Sequence, residues 1–165
     1  VCRPKVADAF LGESEEDLEF RSIHTYGGAP PACAAALAVI EIMKREKLVE
    51  RAEDLGRHLE RRLVEIKEDS AYVGDVRGKG LFWGIEVVKN KGTKEIFDSN
   101  KLRPLFLKNM LKAGVYGTMI PMDQAVGVGG GLVELCPPLV IDRETLDDAV
   151  NRIESVINTT CKELV

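Results

Sequence analysis

A hydroxyl beside two glycines, just ahead of a helix start, is a combination able to hold an anion. Thr25-Tyr26-Gly27-Gly28 is followed by Pro30-Pro31 and an alanine-rich run that carries Leu37, Ile40 and Met43. Gly27 and Gly28 allow close backbone approach to a ligand, and a helix start after Pro30 offers amide donors and a favourable dipole. By residue type alone the same segment is equally an ordinary loop, and both readings stay open. Arg77, beside Gly78 and close to Gly80, either orders a turn as a buried arginine or binds a carboxylate, with the structural role the stronger reading.

Other groups point to less. His24 and His58 have no partner at metal-ligand spacing, and His58 stands among Arg57, Glu60, Arg61 and Arg62 on what reads as a charged helix face, so no metal site is expected. Gly127-Val128-Gly129-Gly130-Gly131 precedes an apparent strand rather than the helix that a phosphate loop requires, which excludes a nucleotide site and leaves a flexible connection. The cysteines, Cys2, Cys33, Cys136 and Cys161, form no CxxC pair. They read as reduced thiols, with Cys33 and Cys136 as small core residues.

The elements that must position these groups follow from periodicity. A short helix is expected from Pro4 to Phe10, an acidic surface loop from Gly12 to Glu19, and a helix after Pro30 whose alanines let neighbours approach closely. Leu48, Ala52, Leu55, Leu59, Leu63 and Ile66 form one apolar stripe of a helix from about Leu48 to Lys67. Asp75 to Gly80 reads as a turn into a strand in which Leu81, Trp83, Ile85 and Val87 alternate with Phe82, Gly84, Glu86 and Val88. A third long helix is marked by Leu102, Leu105, Phe106, Met110 and Ala113, with Pro104 early and Gly114 at its end. Strands are expected over Val115 to Ile120 and Leu132 to Cys136, on either side of the loop Pro121 to Gly131. Asp142 is placed to cap a last helix whose inner face is Leu146, Ala149, Val150, Ile153, Val156 and Ile157. The fold class is therefore α+β: roughly three antiparallel strands covered by helices, with a helix-rich arm at the front.

The 165 residues, 45% hydrophobic and 30% charged, fit a soluble globular domain of ordinary size. A net charge of -4 gives no basic surplus for nucleic acid or anionic lipid. The apolar run Ala32 to Ile40 is about half of what a membrane span needs. The start carries no secretory signal, so a cytoplasmic protein is expected, and Val1 in place of methionine hints at chain removed upstream.

Three segments carry a resemblance. His24-Thr25-Tyr26-Gly27-Gly28-Ala29-Pro30 with its alanine-rich continuation, Asp75-Val76-Arg77-Gly78-Lys79-Gly80-Leu81 with Gly84-Ile85-Glu86, and Cys136-Pro137-Pro138-Leu139-Val140-Ile141 together resemble, in order and separation, class III aminotransferases. The resemblance implies a fold-type-I enzyme that uses pyridoxal 5'-phosphate. Residues 1–46 would be the end of its large cofactor-binding domain with a connecting helix, and residues 47–165 its C-terminal small domain. It implies a homodimer or higher homo-oligomer in which Thr25, Tyr26 and Gly27 meet the cofactor phosphate of the neighbouring subunit. It also places the cofactor-binding lysine and the aspartate at the pyridine nitrogen upstream of Val1. This chain then has no catalytic residue of its own and is expected to be inactive alone.

The implied reaction moves an amino group from an amine or amino acid to a keto acid or aldehyde. One departure bears on the substrate. Where many family members carry a carboxylate-binding arginine shortly before the Pro-Pro-Leu motif, the stretch Val126 to Cys136 has none and instead contains Glu134. Glu134 is expected near the substrate entrance, where it disfavours small dicarboxylates. Alternatives are another enzyme on the same scaffold (aminomutase, decarboxylase or phospho-lyase) and a non-catalytic interaction domain.

Overall fold

The computed structural model describes residues 3–12, 24–121 and 131–165. Most of the expected acidic loop and of the glycine-rich loop lies outside them. The chain divides into two compact units, Val1–Ile42 and Met43–Val165.

In the first unit α1, Pro4–Asp8, opens on a proline, where the missing N–H costs nothing, and ends two residues before Phe10. Helix α2, Pro30–Arg45, forms on the high helix propensity of its alanines and continues into the second unit. None of its residues is buried; Leu37, Val39 and Ile40 are all exposed.

In the second unit α3, Leu48–Asp69, buries Leu48, Leu59, Leu63 and Ile66 of the expected stripe, while Ala52 and Leu55 pack at the rim of the core. Its last carbonyls are met by Lys91, whose Nζ donates to the carbonyls of Lys67 and, at 3.0 Å, Ser70. Helix α4, Ser99–Lys112, is capped by Asp98, which accepts from the Asn100 amide. It starts earlier than its apolar pattern indicates, so Pro104 lies inside it. Helix α5, Arg143–Leu164, is capped as expected: the Asp142 carboxylate accepts from the Thr145 amide and hydroxyl, each at 2.8 Å.

The sheet has four strands in the order β1-β2-β4-β3, all neighbours antiparallel: β1 is Val73–Lys79, β2 Phe82–Val87, β3 Thr118–Pro121 and β4 Gly131–Leu135. The additional strand is β1, where the sequence reads as a turn. Gly74 and Gly78 interrupt its side-chain alternation and the register shifts between Val73 and Asp75, so the period-2 signal is weak there although the ladder to β2 is unbroken from Asp75 to Lys79. The turn itself is confined to Gly80 and Leu81.

One sheet face supplies Val73, Trp83, Ile85, Val87, Met119, Val133 and Leu135 to a core completed by α3, α4 and α5. Phe106, Leu63 and Leu102 at its centre are wholly buried. The other face carries Asp75, Arg77, Phe82, Glu86, Thr118, Ile120, Leu132 and Glu134, all exposed or half-buried. These elements make the mixed α+β architecture expected. Among the described residues, no helix is long and apolar enough to cross a membrane.

Candidate functional site

Thr25, Tyr26 and Gly27 form a tight turn in the first unit. The Gly27 amide donates to the His24 carbonyl at 2.9 Å, and the Ala29 amide to the Tyr26 carbonyl at 3.2 Å. Gly28 has φ 77°, a left-handed conformation that favours glycine. Thr25 is exposed, as is Tyr26 at 83%.

The donors available for an anion differ from those expected. Helix α2 begins at Pro30 itself, so its first two residues have no N–H, and the Cys33 amide is taken by the Ala29 carbonyl at 3.0 Å. What remains is the Thr25 hydroxyl with the amides of Tyr26, Gly28 and Ala32, which have no backbone acceptor among the described residues. Gly27 contributes close approach rather than a donor. An exposed hydroxyl and free amides around one turn fit an oxyanion such as a phosphate. The turn supplies neither an amine nor a carboxylate, so it can hold the phosphate of a cofactor without doing its chemistry.

Glu134 is in the second unit, at the fourth position of β4, with Gly84 of β2 opposite it on one side and Thr118 of β3 on the other. Strand alternation directs its carboxylate away from Val133 and Leu135, to the face that no core residue lines. It is half-buried, and among the described residues it has no ion-pair or hydrogen-bond partner. The other carboxylates of that face are paired. Lys67 donates to Asp75 at 2.7 Å, and Arg77 donates to Asp75 at 2.9 Å and to Glu86 at 3.1 Å. The hydrogen bond from Lys67 holds the Asp75 carboxyl below its usual range, against a smaller opposing effect of burial.

Arg77 is thus an exposed member of an ion network, 57% accessible, and not the buried arginine expected: its strand position points it away from the core. His58 also differs. Its Nε2 lies 2.6 Å from Asp147 Oδ1 and its side chain is only 15% exposed, so it joins α3 to α5 instead of facing solvent. That partner is remote in sequence, which no local pattern reveals. Cys33 and Cys136 are exposed, because α2 buries nothing and Cys136 follows the last residue of β4; among the described residues the buried thiol is Cys161.

Sequence reasoning also missed Arg51, whose Nε and Nη2 donate to the carbonyls of Leu139 and Ile141 at 3.3 and 2.6 Å and so fix the Pro-Pro-Leu segment to α3. A cavity of about 690 Å³ lies between α4, α5 and the ends of β3 and β4, walled by Leu107, Met110, Val115, Leu135, Ile141 and Leu146. Glu134 borders it through its strand, while its carboxylate is directed to the other face. Among the described residues no group of three or more His, Cys, Asp or Glu is placed to hold a metal.

A family model described as Aminotransferase class-III matches residues 1–157. The chain is 40% identical over 152 residues to an uncharacterized aminotransferase of Schizosaccharomyces pombe, covering 91% of this chain and 33% of that protein. It is 32% identical over 157 residues to a protein of Caenorhabditis elegans named ethanolamine-phosphate phospho-lyase homolog 1, covering 95% and 31%. A crystal structure of a Bacillus anthracis aminotransferase superposes with a TM-score of 0.76 at 34% identity, covering 95% of this chain and 34% of that one. The chain therefore spans about a third of the length of the relatives it matches.

Proposed function

Starting from a chain that belongs to the class III aminotransferases, we propose that the full-length protein transfers an amino group from an amine or amino acid to a keto acid or aldehyde, using pyridoxal 5'-phosphate. Residues 1–46 are the end of the cofactor-binding domain and residues 47–165 the C-terminal small domain. The protein works as a cytoplasmic homodimer or higher homo-oligomer. Bound pyridoxal phosphate supplies the electron sink that lets an amino group leave the donor and be held until an acceptor takes it.

This chain's own contribution is to bind and orient. The observation that carries the reading is the Thr25 turn, where one exposed hydroxyl and the amides of Tyr26 and Gly28 are free to meet a phosphate. Gly27 keeps side chains out of the way, and Glu134 borders the substrate entrance. The turn itself has no amine to carry the cofactor covalently and no carboxylate to move a proton, and the chain alone is expected to be inactive.

The test is equilibrium dialysis of cofactor from the full-length protein and its Thr25→Val and Thr25→Ser variants, with oligomeric state followed alongside. A hydrogen bond to a charged group is worth roughly 1.5–3 kcal/mol, so Thr25→Val weakens cofactor binding about ten- to a hundredfold and Thr25→Ser less. A Thr25→Val protein that stays oligomeric and holds the cofactor as tightly as wild type makes the threonine only a turn residue. Product analysis tests the reaction: a new amino product matched by a new carbonyl product is transamination, whereas released phosphate identifies a phospho-lyase, the activity in the name of one relative.

A further inference from the structure

The cavity of about 690 Å³ between α4, α5 and the ends of β3 and β4 lies wholly within the second unit. Its size falls in the range of roughly 300–1,000 Å³ usual for small-molecule sites, and its walls are largely hydrocarbon, from Leu107 and Met110 on α4 to Leu146 and Ile153 on α5. The two helices are tied together beside it: Asn109 donates to the Thr160 hydroxyl at 3.0 Å, and Arg152 to the Ala113 carbonyl at 2.8 Å. Space remains because Gly117 and Ala149 put little side chain into the walls.

A cation borders this apolar surface. Arg103, Leu107 and Met110 recur on α4 at intervals of four and three, so Arg103 shares the helix face that lines the cavity. Its Nε donates to the Met119 carbonyl at 3.1 Å, which fixes the guanidinium against β3. Its terminal nitrogens have no carboxylate partner among the described residues. Glu134, also in the lining, sends its own carboxylate to the opposite sheet face. An anchored guanidinium with free terminal donors matches the two oxygens of a carboxylate. A purely apolar occupant would leave that charge unpaired and partly stripped of water, so an acid with a hydrocarbon body fits better.

We propose that this cavity binds a small amphipathic monocarboxylate, its carboxylate on Arg103 and its hydrocarbon body against Leu107, Met110 and the facing side of α5. One charge answers one charge, which favours a monocarboxylate over a phosphate dianion. The proposal does not depend on the amino-transfer reading. The rival occupant is an apolar segment of the protein itself, and the experiment separates the two.

The probes are octanoate, octan-1-ol and acetate, titrated calorimetrically into the full-length protein and its Arg103→Met and Ala149→Phe variants. The Met110 methyl signal, followed by NMR, reports occupation of the cavity. Expected is saturable binding of octanoate that shifts the Met110 signal, with octan-1-ol about tenfold weaker for want of the ion pair and acetate unbound for want of a hydrocarbon body. Arg103→Met lowers octanoate affinity about tenfold, to that of the alcohol, and leaves the alcohol unchanged. Ala149→Phe fills the cavity and abolishes both. A wild type that does not bind octanoate has its cavity filled by the protein itself, and the proposal is overturned. Octanoate held as tightly by Ala149→Phe as by wild type places the acid elsewhere, and an affinity indifferent to Arg103→Met removes the carboxylate contact; either result overturns it too. Should Arg103→Met not fold, equal affinities of wild type for octanoate and octan-1-ol do the same, and should Ala149→Phe not fold, an unshifted Met110 signal does.

Discussion

Gly56 on α3 and Gly80 in the β1–β2 turn are in backbone contact: a carbon added to Gly56 would sit 2.5 Å from the Cα and the carbonyl oxygen of Gly80. A glycine inside a helix costs about 1 kcal/mol relative to alanine, and here that cost lets α3 lie directly on the turn that aligns β1 with β2. The Gly80 carbonyl in turn accepts from Trp83 Nε1 at 2.8 Å.

Gly56→Ala is therefore expected to destabilise the protein, although alanine is the better helix former, because neither backbone can yield. The net loss is about 2–3 kcal/mol. Gly80→Ala meets nothing closer than 3.6 Å and pays only for its φ of 58°, about 1–2 kcal/mol. Denaturant unfolding of the full-length protein, followed by Trp83 fluorescence, should rank Gly56→Ala below Gly80→Ala.

Cys161 is wholly buried in α5, and burial pushes its thiol up to about 12 from 9.0. Above pH 9 the unfolded chain releases this proton while the folded chain keeps it until about pH 12, so stability falls as pH rises through that window, by up to about 1.4 kcal/mol per pH unit. Cys161→Ala should remove this part of the slope between pH 9 and 10.5. At pH 8 a neutral thiol reagent should label Cys161 only after denaturant is added.

Much of this was legible in the sequence wherever apolar spacing is regular and a side chain acts locally. The stripe Leu48 to Ile66, the Asp142 cap and the alternation from Leu81 to Val87 all follow from periods of 3.6 or 2. Strand β1 was not legible, because Gly74 and Gly78 remove the side chains that would mark alternation. Pairings across the fold were equally hidden: His58 with Asp147 and Arg51 with Leu139 and Ile141 join residues about 90 positions apart. At the candidate site the Thr25 turn was found through its motif, yet which of its amides are free depends on α2 starting at Pro30. Glu134 stood out by type, while its lack of a counter-charge among the described residues emerged from the pairing of its neighbours on the sheet.

Arg51 gives the Pro-Pro-Leu segment its position by two hydrogen bonds to carbonyls just ahead of the Asp142 cap. Arg51→Met keeps the stem and removes the donors. Since the side chain is exposed, the expected global loss is small, about 1 kcal/mol. The effect should be local: the Ile141 amide, which donates to the Pro138 carbonyl at 3.0 Å, and the Thr145 amide should exchange hydrogen faster while those of the β2–β4 ladder keep their rates. Unaltered exchange at Ile141 would mean that the prolines alone hold the segment.

The ion network beside Glu134 should govern acid behaviour on the open face. Asp75 is held below its ordinary value of 3.8, first by the hydrogen bond from Lys67 and then, past an opposing effect of burial, by the Val76 amide and the charges of Lys67 and Arg77. A carboxyl depressed in the folded state contributes stability that is fully present above the unfolded value and is lost as pH falls through the folded one. Lys67→Met removes the leading cause, so the Asp75 pKa should rise and its contribution should disappear at a higher pH than in wild type. Carboxyl-carbon NMR reads the pKa directly, and acid unfolding curves read the consequence. Glu86 competes with Asp75 for Arg77, so Lys67→Met with Glu86→Gln should raise the Asp75 pKa by no more than Lys67→Met alone, as Arg77 turns fully to Asp75. A larger rise in the double variant would mean that Glu86 orients Arg77 toward Asp75 and does not compete for it.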